Sequence, residues 1–216
     1  MKYPFVFFDL DGTLTDPAQG ICGSVRYALE QGGYPAGSVE DYYSWIGPPL
    51  QLSFQQYLNC GEAEAKRLVG LYRERFSTVG LFENAVYPGI PPLLRRLKAA
   101  GCRMAVATGK PTVFSRRILA HFDLLQYFDE VSGISLTEAP LTKQGVIEHA
   151  MERLSVIRRE DCIMVGDRDQ DAIGAAACGI GFVGVLYGYG SREELSRAGA
   201  IHMMGTIQEL EAFLLT

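Results

Sequence analysis

Two aspartates that follow a short apolar run near the start of the chain are the first residues able to do chemistry. Asp9 and Asp11 end a run that begins at Phe5, and Gly12 follows them. In open α/β sheets, ligands bind outside the carboxyl ends of the strands. The two carboxylates would point to one side of a continuing strand, but Gly12 indicates that the chain is already turning. Asp followed by Gly is also an ordinary turn sequence, so a catalytic pair and a plain turn both remain open here.

A second acidic group follows a later apolar run and favours a metal site. Asp167, Asp169 and Asp171 come after the run at residues 162–165. If a helix begins near residue 168, Asp167 and Asp171 can face the same place. Clustered carboxylates are costly without a cation, and oxygen ligands with no nearby His or Cys favour Mg²⁺. Asp169 has an ordinary alternative, because an acidic residue in the first turn of a helix is favourable without any catalytic role.

A hydroxyl, a glycine and a lysine follow two further runs of this kind and suit a bound anion. Thr108 and Gly109 precede Pro111, where we expect a helix to begin, and helix N-termini bind phosphate. The alternative is an ordinary helix start with Pro111 in its first turn. Lys143 follows another run and is the one lysine after Lys110, although lysines are usually solvated.

The elements that must position these residues alternate between short β-rich runs and longer segments of helical period. This alternation predicts an α/β fold, a parallel sheet with helices on its faces. The predicted strands are residues 5–10, 103–108, 130–133, 162–165, 182–186 and 200–203. The predicted helices between them are residues 89–100, 111–122, 143–154, 169–178, 191–198 and 206–215.

Residues 16–83 interrupt this alternation with helical segments and no convincing strand. The predicted helices are residues 18–31, 50–58 and 62–78. We therefore predict a core of residues 1–15 and 84–216 with one helical insertion of residues 16–83. Tyr42, Tyr43 and Trp45 could line a substrate cleft or form the core of that insertion. The core is favoured, because large aromatic residues are usually buried.

Composition excludes several classes of protein. The 216 residues carry a net charge of −5, and the 20 Lys and Arg residues are spread along the chain, so no nucleic-acid or membrane partner is expected. The apolar run that Asp9 ends is too short for a signal peptide, and no run is long enough to span a membrane. The 5 cysteines contain no C-x-x-C pair and favour a reducing compartment. We expect a cytoplasmic protein; its sequence leaves monomer and homodimer open.

Taken in order, these residues resemble the motifs of the haloacid dehalogenase superfamily of phosphotransferases. The resemblance is carried by DLDGTLTD at residues 9–16, Thr108, Lys143 and GDRDQD at residues 166–171. The insertion looks like the small helical cap of the branch that contains phosphoglycolate phosphatases and β-phosphoglucomutases. Two further strings look most like the phosphoglycolate phosphatase-like group, whose members are also labelled 5′-nucleotidases; they are WIGPPL at residues 45–50 and YGYGS at residues 187–191.

The resemblance implies a Rossmann-like core and a Mg²⁺-dependent phosphatase. In such an enzyme Asp9 attacks the phosphorus and forms an aspartyl-phosphate, which splits hydrolysis into two easier steps. Asp11 protonates the leaving alcohol and then activates water. The implied metal ligands are Asp9, Asp11 through its main-chain carbonyl, Asp167 and Asp171. The implied phosphate-binding residues are Gly12, Thr108, Gly109 and Lys143. The implied partner is a small phosphorylated metabolite, with phosphoglycolate first and a nucleoside monophosphate second.

Three other functions share parts of this pattern. A sugar-phosphate mutase has the same core motifs, and what separates it from a phosphatase is how the cap excludes water. A phospho-accepting receiver also combines acidic residues, Mg²⁺, Thr and Lys, but an acceptor on the first strand followed at once by an insertion argues against it. A non-catalytic binding protein is the third alternative, and the complete acidic set argues against that one.

Overall fold

A computed structural model of the chain describes residues 2–136 and 141–216. Two compact units are present: a core that contains the residues up to Asp16 and from Val86 onward, and a second unit, Pro17–Ala85. The second unit thus lies slightly further along the chain than the predicted residues 16–83. Each unit has its own buried side chains.

The core is built on a six-stranded sheet. The strands of the chain are β1 (Phe5–Phe8), β2 (Thr15–Asp16), β3 (Ala85–Val86), β4 (Arg103–Pro111), β5 (Glu130–Ile134), β6 (Cys162–Gly166), β7 (Gly181–Val185) and β8 (Met203–Met204). The sheet has the order β5-β4-β1-β6-β7-β8, and all of its neighbours are parallel. The strand order reverses at β1. In open α/β sheets, ligands bind at such a point, here the carboxyl ends of β1, β4 and β6.

Helices cover both faces of this sheet. Those of the core are α4 (Ile90–Ala99), α5 (Thr112–His121), α6 (Lys143–Arg153), α7 (Asp169–Cys178), α8 (Arg192–Arg197) and α9 (Ile207–Leu214). Phe7 belongs to a buried cluster with Met164 of β6 and with Ile147 of α6. Val6 and Phe8, which point to the opposite face, are equally buried. The predicted α/β class and Rossmann-like parallel sheet are confirmed.

The predicted boundary between strand and helix at residues 108–111 is wrong, and it bears on the site. β4 does not end at Thr108 but continues to Pro111, and α5 begins only at Thr112. The strand continues because its pairing with β5 resumes at Ile134, after a register shift beyond Ala107. The expected helix N-terminus is therefore not directly beside Thr108 and Gly109.

The second unit is helical. It contains α1 (Ala18–Gly32), α2 (Leu50–Leu58), α3 (Glu62–Arg75), a 3₁₀ helix at Glu40–Trp45 and a π-helical turn at Phe76–Gly80. Tyr42 and Trp45 are buried as predicted, and the Trp45 ring centroid lies 5.0 Å from that of Phe54. Tyr43 is 39% exposed, so its predicted place in the core of this unit is wrong. The 3₁₀ helix turns it outward while its neighbour Tyr42 points in.

The described residues include no helix that is both long enough and apolar enough to span a membrane.

The start of α6 generates a prediction about stability. The Thr142 hydroxyl accepts a hydrogen bond from the Gly145 N–H at 3.2 Å and caps the helix whose first residue is Lys143. We expect Thr142→Ala to lower the free energy of unfolding by about 1 kcal/mol, because the cap leaves an unpaired N–H when it is removed. Urea unfolding followed by circular dichroism measures this change. Thr142→Ser keeps the hydroxyl and should lose far less; equal losses would contradict a capping role.

Candidate active site

The first predicted site residue, Asp9, lies directly after the central strand. Its N–H donates to the Val165 carbonyl of β6 at 2.9 Å, so the main chain holds it beside that strand. Lys143 Nζ lies 2.6 Å from Asp9 Oδ1 and 2.5 Å from Asp171 Oδ1. Burial alone would lower the pKa of Lys143, but Asp171 and Asp9 outweigh burial and hold that pKa above its usual value. Lys143 is thus a permanent cation between two carboxylates.

The second acidic group is held by hydrogen bonds at the start of α7. Asp167 is fully buried, and its two oxygens accept from the Thr13 hydroxyl at 3.2 Å and from the Tyr189 N–H at 2.8 Å. Asp171 accepts from the Arg168 N–H at 3.0 Å, which also fixes the first turn of the helix. Both carboxylates are therefore oriented before any ligand binds.

These aspartates form a group that suits a hard cation. Asp9, Asp167 and Asp171 each offer one carboxylate oxygen, and these oxygens all lie within 4.8 Å of one another. All three residues are buried, so water screens the repulsion between their carboxylates poorly. An all-oxygen, buried and anionic donor set fits Mg²⁺ and disfavours zinc. The Asp11 side chain lies outside this group, and only its main-chain carbonyl was expected as a ligand.

Asp11 forms a separate ion pair. Its Oδ2 lies 2.7 Å from Lys110 Nζ, and the lysine side chain is only 6% exposed. Oδ1 of Asp11 is buried and accepts no hydrogen bond from the described residues. A buried oxygen without a partner is costly and is free to bind a proton or a substrate atom. Lys110 therefore holds Oδ2 of Asp11, while Oδ1 can bind another group.

The pKa values of two acidic residues, Asp167 and Asp11, are raised above the ordinary value. Burial, with repulsion from Asp171 and Asp9, raises the pKa of Asp167 to about 8. Burial also raises the pKa of Asp11, against the lowering influence of Lys110. A cation beside Asp167 would lower the pKa of Asp167 again, because it stabilises the ionised carboxylate.

Of the predicted phosphate-binding residues, Lys143 and Gly12 lie against the acidic group. Thr108 is buried at the end of the central part of β4, and its hydroxyl accepts from the Lys110 N–H at 3.2 Å. Gly109 is exposed, and a Cβ there would meet none of the described atoms within 4 Å. Gly12 has a φ of +79°, and a Cβ there would lie 2.2 Å from Asp167 Oδ2. Glycine is thus required at residue 12 by the approach of Asp167; its predicted role toward phosphate stays a prediction.

Two residues of this region were missed by sequence reasoning. Lys110 directly follows the predicted Thr108–Gly109 pair, but lysines are so often solvated that its position gave no signal. Tyr189 belongs to the YGYGS string, which indicates a family through resemblance alone, and nothing in its spacing from Asp167 indicates a contact. Both are found only once the parallel order of β4, β1, β6 and β7 is known.

The family of the chain is decided by a comparison with family models. The model of the haloacid dehalogenase-like hydrolases matches residues 6–185. The chain belongs to this family. The predicted family and class of enzyme, a phosphoric monoester hydrolase of the haloacid dehalogenase type, are confirmed by this match and by phosphatases among its relatives.

Several proteins are similar to this haloacid dehalogenase-like hydrolase over nearly all of its length. A crystal structure from Clostridium acetobutylicum, described as a predicted phosphatase, has a TM-score of 0.94 and 46% identity, covering 100% of this chain and 99% of that one. A 5′-nucleotidase of Pseudomonas aeruginosa is 40% identical, covering 99% of this chain and 96% of that protein. Tyrosine-protein kinase PtkA of Mycobacterium tuberculosis is 39% identical, covering 97% of this chain and 72% of the kinase. A phosphoglycolate phosphatase of Colwellia psychrerythraea is 27% identical, covering 95% and 94%.

The buried state of Asp167 generates a prediction about pH and metal. Its folded pKa of about 8 lies above the ordinary 3.8, so the metal-free fold loses stability as the pH rises from about 4 to about 8. We expect Asp167→Asn to raise the melting temperature in EDTA, by an amount that grows across this pH window and then levels off. Excess Mg²⁺ should raise the melting temperature of the parent and leave the variant nearly unchanged.

Asp169→Asn is the matched control, because Asp169 lies in the first turn of the same helix but outside the acidic group. It should lower stability slightly through the helix dipole and keep the full response to Mg²⁺. If the two variants respond alike to Mg²⁺, Asp167 is not a ligand.

Proposed function

We propose that this chain is a Mg²⁺-dependent phosphomonoesterase that hydrolyses a small phosphorylated metabolite through an aspartyl-phosphate on Asp9. One observation carries the proposal: Asp9 stands at the end of the central strand within one buried group with Asp167, Asp171 and Lys143. A dianionic phosphate would be repelled by these carboxylates alone, so a nucleophilic role for Asp9 requires cations beside it. Lys143 is one such cation, and the carboxylates of the acidic group are proposed to bind a second, Mg²⁺.

The first chemical step belongs to Asp9. A carboxylate oxygen of Asp9 forms a bond to phosphorus while the bond from phosphorus to the leaving oxygen breaks. Thr108 and the Gly109 N–H are proposed to bind the phosphoryl oxygens, with Lys143 balancing their charge. The exposed, unobstructed position of Gly109 supports this role, since a phosphate group can approach its main chain.

Proton transfer belongs to Asp11. Its unpartnered Oδ1 is the atom that would carry the proton to the leaving alcohol, while Lys110 holds Oδ2 in place. After the alcohol departs, the same oxygen accepts a proton from the water that attacks the aspartyl-phosphate. The raised pKa of Asp11 supports this role, because a carboxyl that shuttles a proton near neutral pH must hold it there.

Mg²⁺ would be held by Asp9, Asp167, Asp171 and the main-chain carbonyl of Asp11. When bound, it neutralises charge on the carboxylates and on the transferring phosphoryl group. Residues 17–85 are proposed to act as the cap that the family resemblance implies, moving about the junctions near Asp16 and Glu83 to admit substrate and exclude water.

Phosphoglycolate and nucleoside monophosphates are the two proposed substrates. The greater identity to the Pseudomonas aeruginosa 5′-nucleotidase than to the phosphoglycolate phosphatases favours nucleoside monophosphates. The similarity to a protein named as a tyrosine kinase adds a second candidate activity, transfer of a phosphoryl group from a nucleotide to a tyrosine. It differs from monoester hydrolysis in the donor, a nucleoside triphosphate, and in the acceptor, a tyrosine hydroxyl in place of water.

The central prediction is that phosphate release requires Asp9 and Mg²⁺. The parent and Asp9→Asn are incubated with phosphoglycolate, nucleoside monophosphates, sugar phosphates and p-nitrophenyl phosphate, with Mg²⁺ or EDTA. We expect the parent to release phosphate only with Mg²⁺ and Asp9→Asn to lose at least about a thousandfold in kcat, since no nucleophile is left. The ranking of substrates selects between the two candidates.

Asp161→Asn, near the surface and paired with Arg158, is the control for the same chemical change and should keep parental activity. In a parallel assay, radiolabelled ATP replaces the monoesters and tests transfer of a phosphoryl group to tyrosine. In another, sugar phosphates test transfer of the phosphoryl group without release of phosphate, as in a mutase. Full activity of Asp9→Asn would refute the proposed mechanism.

The role of Asp11 generates a prediction about leaving groups. p-Nitrophenolate departs without a proton, whereas an alkoxide needs one. We expect Asp11→Asn to lower kcat/KM for an alkyl phosphate at least about tenfold more than for p-nitrophenyl phosphate. The parameter kcat/KM reports the first step alone, so the later attack of water does not obscure the comparison. Equal losses on both substrates would exclude Asp11 as the acid.

A further inference from the structure

A short segment after β7 contacts the acidic group in a way that the proposed function does not use. Residues 187–190, here called the tyrosine strap, have the sequence YGYG. A Cβ on Gly188 would lie 2.3 Å from the Gly12 carbonyl oxygen, and one on Gly190 would lie 1.7 Å from that of Asp167. The strap therefore lies directly on these two residues, at a distance that only glycine allows.

The strap holds one oxygen of the buried carboxylate. The Tyr189 N–H donates to Asp167 Oδ2 at 2.8 Å, between the two close glycines. A main-chain donor cannot rotate away as a side chain can, so the direction of the Asp167 carboxylate depends on where the strap lies. Anything that fixes Tyr189 also fixes this carboxylate.

The same strap is fastened to the segment through which the chain leaves the core. The Tyr189 hydroxyl donates to Asp16 Oδ1, and Asp16 is the last core residue before the helical unit. The Tyr187 hydroxyl donates to the Thr13 carbonyl at 3.1 Å. The Tyr187 ring also packs edge-on against Tyr87, on the segment that returns to the core, with centroids 5.1 Å apart.

We propose that Tyr189 is a positioning residue that couples the outgoing linker at Asp16 to the cation-binding carboxylate of Asp167. Its N–H orients Asp167 and its hydroxyl binds Asp16, so one residue is shared by the two sites. Coupling between sites is reciprocal: a cation that fixes Asp167 also fixes Asp16, and a fixed Asp16 favours the cation. The inference rests on the proposed function only in requiring that Asp167 binds a divalent cation.

The test measures Mg²⁺ binding and linker protection rather than activity. Isothermal titration of the full chain gives the Mg²⁺ dissociation constant, and hydrogen exchange reports the amides of residues 15–20 and of the strap. In the parent, Mg²⁺ should slow exchange in both segments. Tyr189→Phe keeps the N–H bond to Asp167, so protection of the strap should persist. The slowing of exchange by Mg²⁺ in residues 15–20 should vanish, and the Mg²⁺ dissociation constant should rise about fivefold.

Tyr34→Phe is the matched control. The Tyr34 hydroxyl also donates to a carboxylate, Glu64 at 2.9 Å, but within the helical unit. It should leave both the dissociation constant and the Mg²⁺ protection at parental values. Asp16→Ala breaks the Tyr189 contact from the other side and provides the same test if Tyr189→Phe fails to fold. The double variant Asp16→Ala, Tyr189→Phe should bind Mg²⁺ no more weakly than the weaker single variant.

The outcomes separate this inference from the proposed function. If the parent binds Mg²⁺ and Tyr189→Phe binds it equally well with full protection of residues 15–20, the coupling is refuted and the phosphatase proposal stands. Additive effects of the two substitutions also refute it. If the parent binds no Mg²⁺, the cation site and the coupling fall together. If Mg²⁺ binding and coupling are as expected but no substrate is hydrolysed, the phosphatase proposal alone falls.

Discussion

The mutual repulsion of buried carboxylates is the constraint on which the rest of this structure depends. Asp9, Asp11, Asp167 and Asp171 follow two adjacent parallel strands, β1 and β6. Asp9, Asp167 and Asp171 are buried and Asp11 is partly buried, so water screens their charges poorly. Lys143 compensates Asp9 and Asp171, and Lys110 compensates Asp11. Asp167 accepts hydrogen bonds from Thr13 and Tyr189, and Asp171 accepts one from Arg168. The compensation is incomplete at Asp167, whose pKa is raised to about 8. The sheet holds these carboxylates together, in an arrangement that suits a cation.

The fold could be predicted from sequence because its strands are buried on both faces. Such strands are short continuous apolar runs, and the helices between them have a clear amphipathic period. The predicted boundaries are wrong where contacts between residues distant in the sequence determine the structure. β4 continues to Pro111 because β5 offers it a partner after a register shift, and no property of residues 109–111 predicts that. The short strands β2 and β3 likewise exist only because they pair with each other.

The acidic residues of the site were predictable for a different reason. A carboxylate directly after an apolar strand is conspicuous, and two such strands with parallel order must bring their carboxyl ends together. The cations were harder to find, because a buried lysine and a solvated lysine look the same in sequence. Lys143 was singled out by its position after an apolar run, with its role implied by resemblance, whereas Lys110 was not predicted as a site residue. The contacts of the tyrosine strap could not be predicted from the sequence, since they depend on β7 lying beside β6 and not on any local pattern.

The pairing of β2 with β3 has a consequence for the evolution and engineering of this chain. The outgoing strand Thr15–Asp16 and the returning strand Ala85–Val86 run side by side, so the whole helical segment is inserted at a single point. An insertion with adjacent ends leaves the connections of the parent sheet untouched, whatever its length or sequence. Segments of other size or shape can therefore be exchanged at this point without rearranging β1, β4 or β6. The acidic group stays in one part of the chain while the inserted part is free to diverge.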